Sequence, residues 1–278
     1  GQGFNTSLSQ ICADELGVEM KDVYAFHGDT YGSPYGQGSF GSRTVAVAGS
    51  AAVLACRKLK GKILKLGAYL LKAESDELYL SEGYVRSRNS QDKKISIAKI
   101  AESAYKAHDL PNEMEPALES TAYFQPVGLA TSYAAHVVEV EVDLDTGAVK
   151  ILKYVSVHDC GNEINSMIVE GQIQGSLVQA IGATLLEELI YDDDGQLLSG
   201  SFLDYLLPTA EFMPNLVVGS TSVPTPINPL GAKGIGESGT IIGPPAIANA
   251  VSDAIGSEMN LIPMTPERVW TALKFKGR

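Results

Sequence analysis

The chain has 278 residues, of which 45% are hydrophobic and 19% are charged, and its formal net charge at pH 7 is −12. Its length can bury a large core, and its acidity, without basic clusters, excludes nucleic acid and anionic membrane surfaces as main partners. No apolar run approaches the roughly 20 residues of a membrane span, and no basic leader precedes an apolar stretch, so we expect a cytoplasmic protein.

Three widely spaced cysteines, Cys12, Cys56 and Cys160, lie among apolar neighbours. An odd number of cysteines without a CxxC motif excludes a disulfide framework or an iron–sulfur site within this chain. The sequence starts at Gly1 rather than at a methionine, from which we expect a piece of a longer protein.

The N-terminal segment predicts a helix that begins after a glycine turn. Gly1-Gln2-Gly3 precedes an apolar stripe from Leu8 to Leu16, and a short glycine turn before a helix offers free N–H groups to an anion. Residues Val23–His27 then predict a strand.

A second glycine-rich loop, residues 31–43, precedes a helix of small residues from Val45 to Leu59. Ser39, Ser42, Arg43 and Thr44 add side-chain donors, so the pattern favours phosphate binding. GxGxxG occurs at Gly36–Gly41 and at Gly234–Gly239. Neither copy follows a strand or precedes a suitably placed acid, which excludes a dinucleotide-binding Rossmann unit.

The next region predicts structural support without chemistry. Apolar spacing indicates a helix over residues 63–70, a hairpin over residues 78–87 and a helix over residues 97–105. Asp109–Pro116, which contains two prolines, is the predicted crossing between two lobes.

Two long strands, Ala135–Asp143 and Ala148–His158, are predicted on either side of an Asp145-Thr146-Gly147 turn. The second strand ends in His158-Asp159. This pair is compatible with half a metal site or a catalytic couple, but no third ligand lies at a useful spacing. A polar cluster that ends the strand is the favoured interpretation.

Residues 170–182 predict a helix with two distinct faces. Gly171 and Gly175 lie one turn apart, whereas Gln172, Ser176 and Gln179 share another face. The glutamines are candidates to donate to carbonyls and phosphates, and a close helix contact beside idle glutamines is the equal alternative.

The C-terminal third predicts strands at Phe202–Leu207 and Leu216–Thr221, a helix from Pro245, and a capped helix from Thr265. A loop rich in glycine and proline precedes Pro245 and carries Glu237. Such a backbone can come close to a bound molecule and direct one carboxylate at it. The alternative is an ordinary glycine-rich loop with Glu237 in solvent.

At this point a resemblance covers nearly the whole chain. Six motifs resemble, in the same order, the C-terminal molybdenum-cofactor-binding half of the large subunit of molybdenum hydroxylases, the family of xanthine dehydrogenase, aldehyde oxidoreductase and aerobic carbon monoxide dehydrogenase. The sequence of these motifs is most similar to that of the carbon monoxide dehydrogenase-like large subunits. The motifs are GQGFNTSLSQICADELG, GDTYGSPYGQGSFGSRTVAVAG, VHDCGNEIN, EGQIQGSLVQAIGATLLEEL, FLDYLLPTAEFMP and PLGAKGIGESGTIIGPPAIANAVSDA.

The resemblance implies an α+β fold with two packed lobes of mixed sheet and helices, which we place at residues 1–115 and 116–278. It implies that Glu237 is the catalytic base, and a partly desolvated pocket would make this carboxylate effective near neutral pH. No residue is expected to ligate the metal directly. The implied cofactor-binding residues are Gln2, Gly3, Gly38, Ser39, Gly41, Ser42, Arg43, Thr44, Ala46, Gln179, Lys233 and Gly234.

The implied cofactor is molybdenum-molybdopterin in its cytosine dinucleotide form, with FAD and [2Fe-2S] on partner subunits. The implied partners are the N-terminal half of the large subunit and the iron–sulfur and flavin subunits. The implied activity is oxidation of an aldehyde, a heteroaromatic compound or carbon monoxide, and we expect this chain alone to be inactive. The alternative is a non-catalytic scaffold or nucleotide-binding domain. One departure from the family is Asn165-Ser166, where Asn-Pro is usual.

Overall fold

The computed structural model describes residues 1–32, 35–107, 110–112 and 114–275. They form two compact units. The first contains Gly1, Gly3–Ala130 and Thr225–Ala232, and the second contains Gln2, Thr131–Pro224 and the chain from Lys233 onward. Part of the predicted crossing Asp109–Pro116, namely Asp109 and Glu113, lies outside the described residues.

The first unit packs helices against a small antiparallel sheet. Its elements are α1 (Phe4–Leu16), α2 (Ser50–Leu71), β1 (Leu78–Ser81), β2 (Tyr84–Ser87), β3 (Lys94–Ser96) and α3 (Ile97–Lys106). The strands pair in the order β1-β2-β3, which confirms the predicted hairpin. Leu66 of α2, Val85 of β2 and Ile100 of α3 are fully buried in the core of this unit, so the apolar stripes of the helices cover one face of the sheet.

The second unit packs helices against a mixed sheet. Its elements are β4 (Tyr133–Val142), β5 (Val149–Asp159), α4 (Ser166–Leu185), β6 (Leu216–Thr221), α5 (Ser238–Ile255) and α6 (Pro266–Lys274). Strand β5 lies in the middle, antiparallel to β4 and parallel to β6. Tyr154 of β5, Leu177 of α4 and Ile247 of α5 are fully buried in its core. One antiparallel and one mixed sheet, each packed against separate helices, confirm the predicted α+β class.

Two predicted strands are wrong. Residues 23–27 are not assigned to a strand, and Tyr24 and Phe26 are exposed, so the apolar alternation there does not mark a buried face. Residues 202–207 lie in turns and irregular chain, where Asp204 N–H donates to the Ser201 carbonyl. Apolar composition alone suggested both strands, but a strand also requires a neighbour to pair with.

The start of α5 also differs from the prediction. The helix begins at Ser238 rather than at Pro245, and it contains Pro244 and Pro245. Proline is unfavourable inside a helix because it removes a backbone N–H and crowds the preceding turn, and two glycines earlier in the segment weaken the helical pattern further. Contacts with α4 hold this first part of α5 in helical form, and they make Glu237 the N-cap residue.

The other two helix starts in the second unit follow ordinary capping rules. The Asn165 side chain accepts a hydrogen bond from Ile168 N–H at 3.1 Å, and Thr265 accepts one from Arg268 N–H. Ser166 therefore occupies the first helical position, at the point where the family usually has proline. None of the helices in the described part of the chain is long and apolar enough to cross a membrane.

Candidate functional site

Glu237 lies where the loop Lys233–Glu237 enters α5. It is the N-cap residue, and its carbonyl accepts the first backbone hydrogen bond of the helix from Ile241 N–H at 3.2 Å. Its side chain is exposed. The partly desolvated pocket that the sequence predicted for this carboxylate is therefore not completed by the described residues alone.

Helices α4 and α5 approach each other closely just behind Glu237. A Cβ placed on Gly239 would lie 2.0 Å from Ser176 Oγ, and one placed on Gly243 would lie 2.3 Å from Ala180 Cβ. No larger side chain fits at either glycine unless a helix moves. The contact fixes the first two turns of α5, and with them the backbone position of Glu237.

This contact bears on the two interpretations of α4, namely glutamines that donate to a ligand and a close helix contact through the glycines. Outside its own helix, no described atom lies within 4 Å of a Cβ added to Gly171 or Gly175, so the predicted small-residue face does not pack on the described part of the chain. The close contact uses Ser176, which is buried and donates to the Ile173 carbonyl at 2.8 Å. Gln179 is exposed on the same helix.

The side chain of Lys233 is committed to a buried ion pair. Its Nζ lies 2.6 Å from Asp159 Oδ2, and the two side chains are only 6% and 8% exposed. The same ammonium lies 5.3 Å from the centre of the Tyr133 ring. The resemblance implied Lys233 as a cofactor-binding residue, and that remains a prediction; the structure pairs its ammonium with Asp159.

Asp159 connects three segments of the second unit. Its Oδ1 accepts hydrogen bonds from Gly161 N–H at 2.9 Å and Val223 N–H at 3.1 Å, and its Oδ2 accepts one from Lys233. Burial opposes ionisation of this carboxyl, but the hydrogen bonds from Lys233, Gly161 and Val223 outweigh burial and hold its pKa below the usual value. Asp159 is therefore a charged acceptor at neutral pH.

A chain of hydrogen bonds extends into the core from the other end of the Glu237 loop. Ser238 Oγ lies 2.9 Å from His158 Nδ1, His158 Nε2 lies 3.3 Å from His136 Nε2, and His136 Nδ1 lies 3.0 Å from the Tyr154 hydroxyl. Burial lowers the pKa of His158, and burial together with the neighbouring His158 lowers the pKa of His136 to about 4. Both imidazoles are therefore neutral at pH 7.

This network predicts a loss of stability in mild acid. Unfolded His136 binds its proton near pH 6.5, whereas folded His136 binds it only near pH 4. The stabilisation is thus fully present above pH 6.5 and is lost as the pH falls toward 4. At 1.36 kcal/mol per pKa unit, and allowing for partial solvent contact, we expect the free energy of unfolding to fall by about 2 kcal/mol between pH 7 and 4.5.

Urea denaturation at both pH values measures this effect. His136→Gln should reduce this pH dependence, leaving the part due to His158, whereas His27→Gln, at an exposed histidine of the first unit, should leave it unchanged. Equal pH slopes for the wild type and His136→Gln would contradict the prediction.

In the first unit, the loop of residues 38–44 has an open, glycine-supported backbone. Gly38 has φ +83° and Gly41 has φ +58°, and a Cβ added to either would meet no atom within 4 Å among the described residues, its chain neighbours apart. Ser39 Oγ and Thr44 Oγ1 are hydrogen-bonded, and Arg43 lies 5.0 Å over the Phe40 ring. The left-handed backbone and the open space leave room for a ligand against the main chain.

The base of this loop is fixed within the first unit. Residues Val45–Gly49 form a wide helical turn before α2, and a Cβ on Gly49 would lie 3.1 Å from Ile11 Cδ1 of α1 and 2.9 Å from Leu230 Cδ1. The loop and α1 are therefore anchored together. Ala46 is half-buried in the wide turn.

The first glycine turn opens α1 as predicted. Gly3 has φ +75° and is the N-cap residue, and its carbonyl accepts a hydrogen bond from Ser7 N–H at 2.9 Å. Gln2 is exposed.

The predicted residues are divided between the two units. Gly3 and residues 38–46 belong to the first unit, whereas Gln2, Gln179, Lys233, Gly234 and Glu237 belong to the second. No cluster of three or more His, Cys, Asp or Glu side chains suited to a metal ion occurs among residues 1–32, 35–107, 110–112 and 114–275.

Sequence reasoning interpreted His158-Asp159 as a polar cluster that ends the strand, and β5 does end at Asp159, whose side chain accepts from Gly161 N–H. It missed the contacts of His158 with Ser238 and of Asp159 with Lys233. It also missed the four-residue spacing of Gly239 and Gly243, which places both on one helix face.

The chain is similar to proteins of known activity. Residues 1–214 match the family model described as the molybdopterin cofactor-binding domain. The carbon monoxide dehydrogenase large chain of Afipia carboxidovorans is 36% identical over 254 residues, covering 91% of this chain and 31% of that protein. The nicotine 6-hydroxylase large subunit of Paenarthrobacter nicotinovorans is 37% identical over 278 residues, covering 99% and 34%.

Solved structures give the same result. The crystal structure of quinoline 2-oxidoreductase from Pseudomonas putida 86 matches with a TM-score of 0.92 and 37% identity, covering 99% of this chain and 35% of that chain. The chain therefore spans about a third of the length of the relatives that it matches.

Proposed function

Because the chain belongs to the molybdopterin cofactor-binding domain family, we propose that it is the cofactor-binding and catalytic-base portion of a molybdenum hydroxylase large subunit. The observation that carries this proposal is the position of Glu237. A single carboxylate projects from a glycine-rich loop at a helix start, and the contact of Gly239 and Gly243 with α4 fixes that start. Such a group suits proton transfer at one defined point.

The residues present fit the cofactor that this family is named for. An anionic pyrophosphate requires N–H and hydroxyl donors on an open backbone, and the loop of residues 38–44 supplies both, with Gly38 and Gly41 leaving unfilled space. The start of α1 adds further N–H groups. We propose that the cofactor is held by Gln2, Gly3, Gly38, Ser39, Gly41, Ser42, Arg43, Thr44, Ala46, Gln179 and Gly234.

Lys233 is absent from this set for a physical reason. Its ammonium is buried against Asp159, and its backbone N–H donates to the Cys160 carbonyl at 2.7 Å. We therefore assign Lys233 to support of the loop.

When bound, the molybdenum cofactor would supply an electron sink and an oxygen atom that comes from water. Overall, substrate and water become oxygenated product, two protons and two electrons. Glu237 would accept one of the protons, and the loop that carries it would direct the carboxylate toward the reacting atoms. The two electrons would pass to [2Fe-2S] and FAD on partner subunits.

Names of the relatives support a multisubunit assembly. They include a large chain, a large subunit and subunit gamma of the 6-hydroxypseudooxynicotine dehydrogenase complex. We propose that the N-terminal half of a large subunit and the iron–sulfur and flavin subunits complete the enzyme. Three free cysteines suit the reducing cytoplasm, where we place it.

For the substrate we propose a heteroaromatic compound, an aldehyde or carbon monoxide. The named relatives act on carbon monoxide, nicotine and quinoline. We propose the cytosine dinucleotide form of the cofactor from the similarity to the carbon monoxide dehydrogenase large chain.

The test is production of this chain with the N-terminal half and the partner subunits, followed by elemental analysis for molybdenum and mild acid hydrolysis to release the nucleotide. We expect stoichiometric molybdenum together with CMP. Gly41→Val, which fills the open loop, should lose molybdenum, whereas Gly195→Val, at an exposed turn with similar φ and open space, should retain it. Absence of molybdenum, in a host that loads a control enzyme, would favour the non-catalytic scaffold.

A further inference from the structure

We propose that His158 and Asp159, adjacent at the end of β5, are positioning residues that hold the two ends of the Glu237 loop. This inference rests on the proposed function, because it takes Glu237 as the base. Asp159 binds Lys233, where the loop begins, and His158 binds Ser238, where the loop becomes α5.

Strand geometry explains how two neighbours can hold both ends. Successive side chains of a strand point to opposite faces of the sheet. Asp159 pairs in register with Tyr133, which is on the exposed face and lies beneath the Lys233 ammonium. His158 pairs in register with Ala134 and is 1% exposed. The loop therefore meets the end of β5 from both faces.

The attachment at Asp159 is strong because it combines charge with backbone hydrogen bonds. Its two carboxylate oxygens accept from Gly161, Val223 and Lys233, and burial of the pair strengthens their attraction. Lys233 N–H also donates to the Cys160 carbonyl. The first residue of the loop is thus bound through its side chain to the last residue of β5 and through its backbone to the residue that follows β5.

The attachment at His158 is a hydrogen bond between two uncharged side chains, and further hydrogen bonds connect His158 to the core. Ser238 Oγ contacts His158 Nδ1 and also the Ile235 carbonyl at 3.1 Å, and His158 Nε2 contacts His136. The partner of His136, the Tyr154 hydroxyl, lies 3.2 Å from a Cβ placed on Gly243 of α5. The network therefore supports the same two turns of α5 that follow Glu237.

This arrangement matters for catalysis because proton transfer depends on placement. A displacement of about 1 Å can cost on the order of 100-fold in rate. His158 and Asp159 act through Lys233 and Ser238, so their effect is expected on the orientation and mobility of the loop.

Two substitutions of His158 separate its contact with Ser238 from its contact with His136. The amide of asparagine can replace His158 Nδ1, whereas that of glutamine can replace Nε2. His158→Asn should therefore keep the bond to Ser238, and His158→Gln should break it. Ser238→Ala breaks the same bond from the other side and serves if His158→Gln does not fold.

Amide hydrogen exchange of this chain measures directly how well the loop is protected from solvent. We expect amide exchange of residues 234–240 to rise about tenfold in His158→Gln and in Ser238→Ala, as for the loss of one buried hydrogen bond. His158→Asn should exchange more slowly than His158→Gln, because it keeps the bond to Ser238 and loses only the contact with His136. Ser156→Ala is the matched control, since it removes a buried hydroxyl on the same strand that has no hydrogen-bond partner in the described part of the chain.

In the assembled enzyme, His158→Gln should also move the acid limb of the kcat/KM profile with molybdenum content unchanged, whereas Ser156→Ala should leave the profile alone. Wild-type exchange in both His158→Gln and Ser238→Ala, or equal exchange in His158→Asn and His158→Gln, would overturn the proposal. Loss of molybdenum from the wild-type assembly would instead count against the proposed function, and the exchange result would still decide whether His158 holds the loop.

Discussion

Glu237→Gln is expected to lower kcat of the assembled enzyme by about 10²–10⁴-fold, the usual contribution of a positioned acid–base group. Glutamine keeps the size and shape of the side chain but cannot accept the proton. The first turn of α5 is held by Gly239 and Gly243 against α4, so the loop should keep its course. Steady-state kinetics together with elemental analysis should show lost turnover with molybdenum and CMP still bound.

A second glutamate near the same helix provides the control. Glu258 is exposed beyond the C-terminal end of α5, and Glu258→Gln removes an equal charge without touching the loop. It should retain wild-type turnover. Retained turnover in Glu237→Gln would remove Glu237 from the role of base, and loss of molybdenum would make it a residue that retains the cofactor.

Much of the fold could be predicted because it depends on local patterns. The alternation along β4 and β5 and the turn at residues 145–147 define a hairpin without distant information. The Asn165 and Thr265 caps mark two helix starts in the same way.

Predictions failed where tertiary contacts outweigh local preference. The first turns of α5 contain two glycines and lead into two prolines, so they carry little helical signal. Packing of Gly239 on Ser176 and of Gly243 on Ala180 holds them as a helix, and no sequence window contains both partners.

The supporting residues of the site could not be found for the same reason. His158 and Asp159 meet partners 80 and 74 residues further along the chain. Local spacing cannot show such a pair, and the motifs that carry the family resemblance do not show which side chain contacts which. The resemblance predicted Glu237 as the base, and the contacts of its loop with Asp159 and His158 are seen only in the structure.

Lys233→Met is expected to lower the free energy of unfolding by about 3–5 kcal/mol, because it leaves the Asp159 carboxylate buried without a counter-charge. Methionine resembles the lysine stem in length, so packing should change little. Asp159→Asn should cost a similar amount, since it leaves the ammonium unpaired. Guanidinium denaturation at pH 7 measures both.

The double variant and an exposed pair decide whether burial is the cause. Lys233→Met with Asp159→Asn removes both charges, and it should be more stable than the sum of the single changes predicts by about 1–3 kcal/mol. Lys99→Met breaks the exposed pair with Glu102 and should cost less than about 1 kcal/mol. Equal costs at Lys233 and Lys99 would contradict the buried pair, and loss of cofactor from Lys233→Met at unchanged stability would return Lys233 to the cofactor site. If Lys233→Met lowers the free energy of unfolding strongly and the double variant recovers part of that loss, the charge of Lys233 serves to neutralise Asp159 and so to fix the loop that carries Glu237.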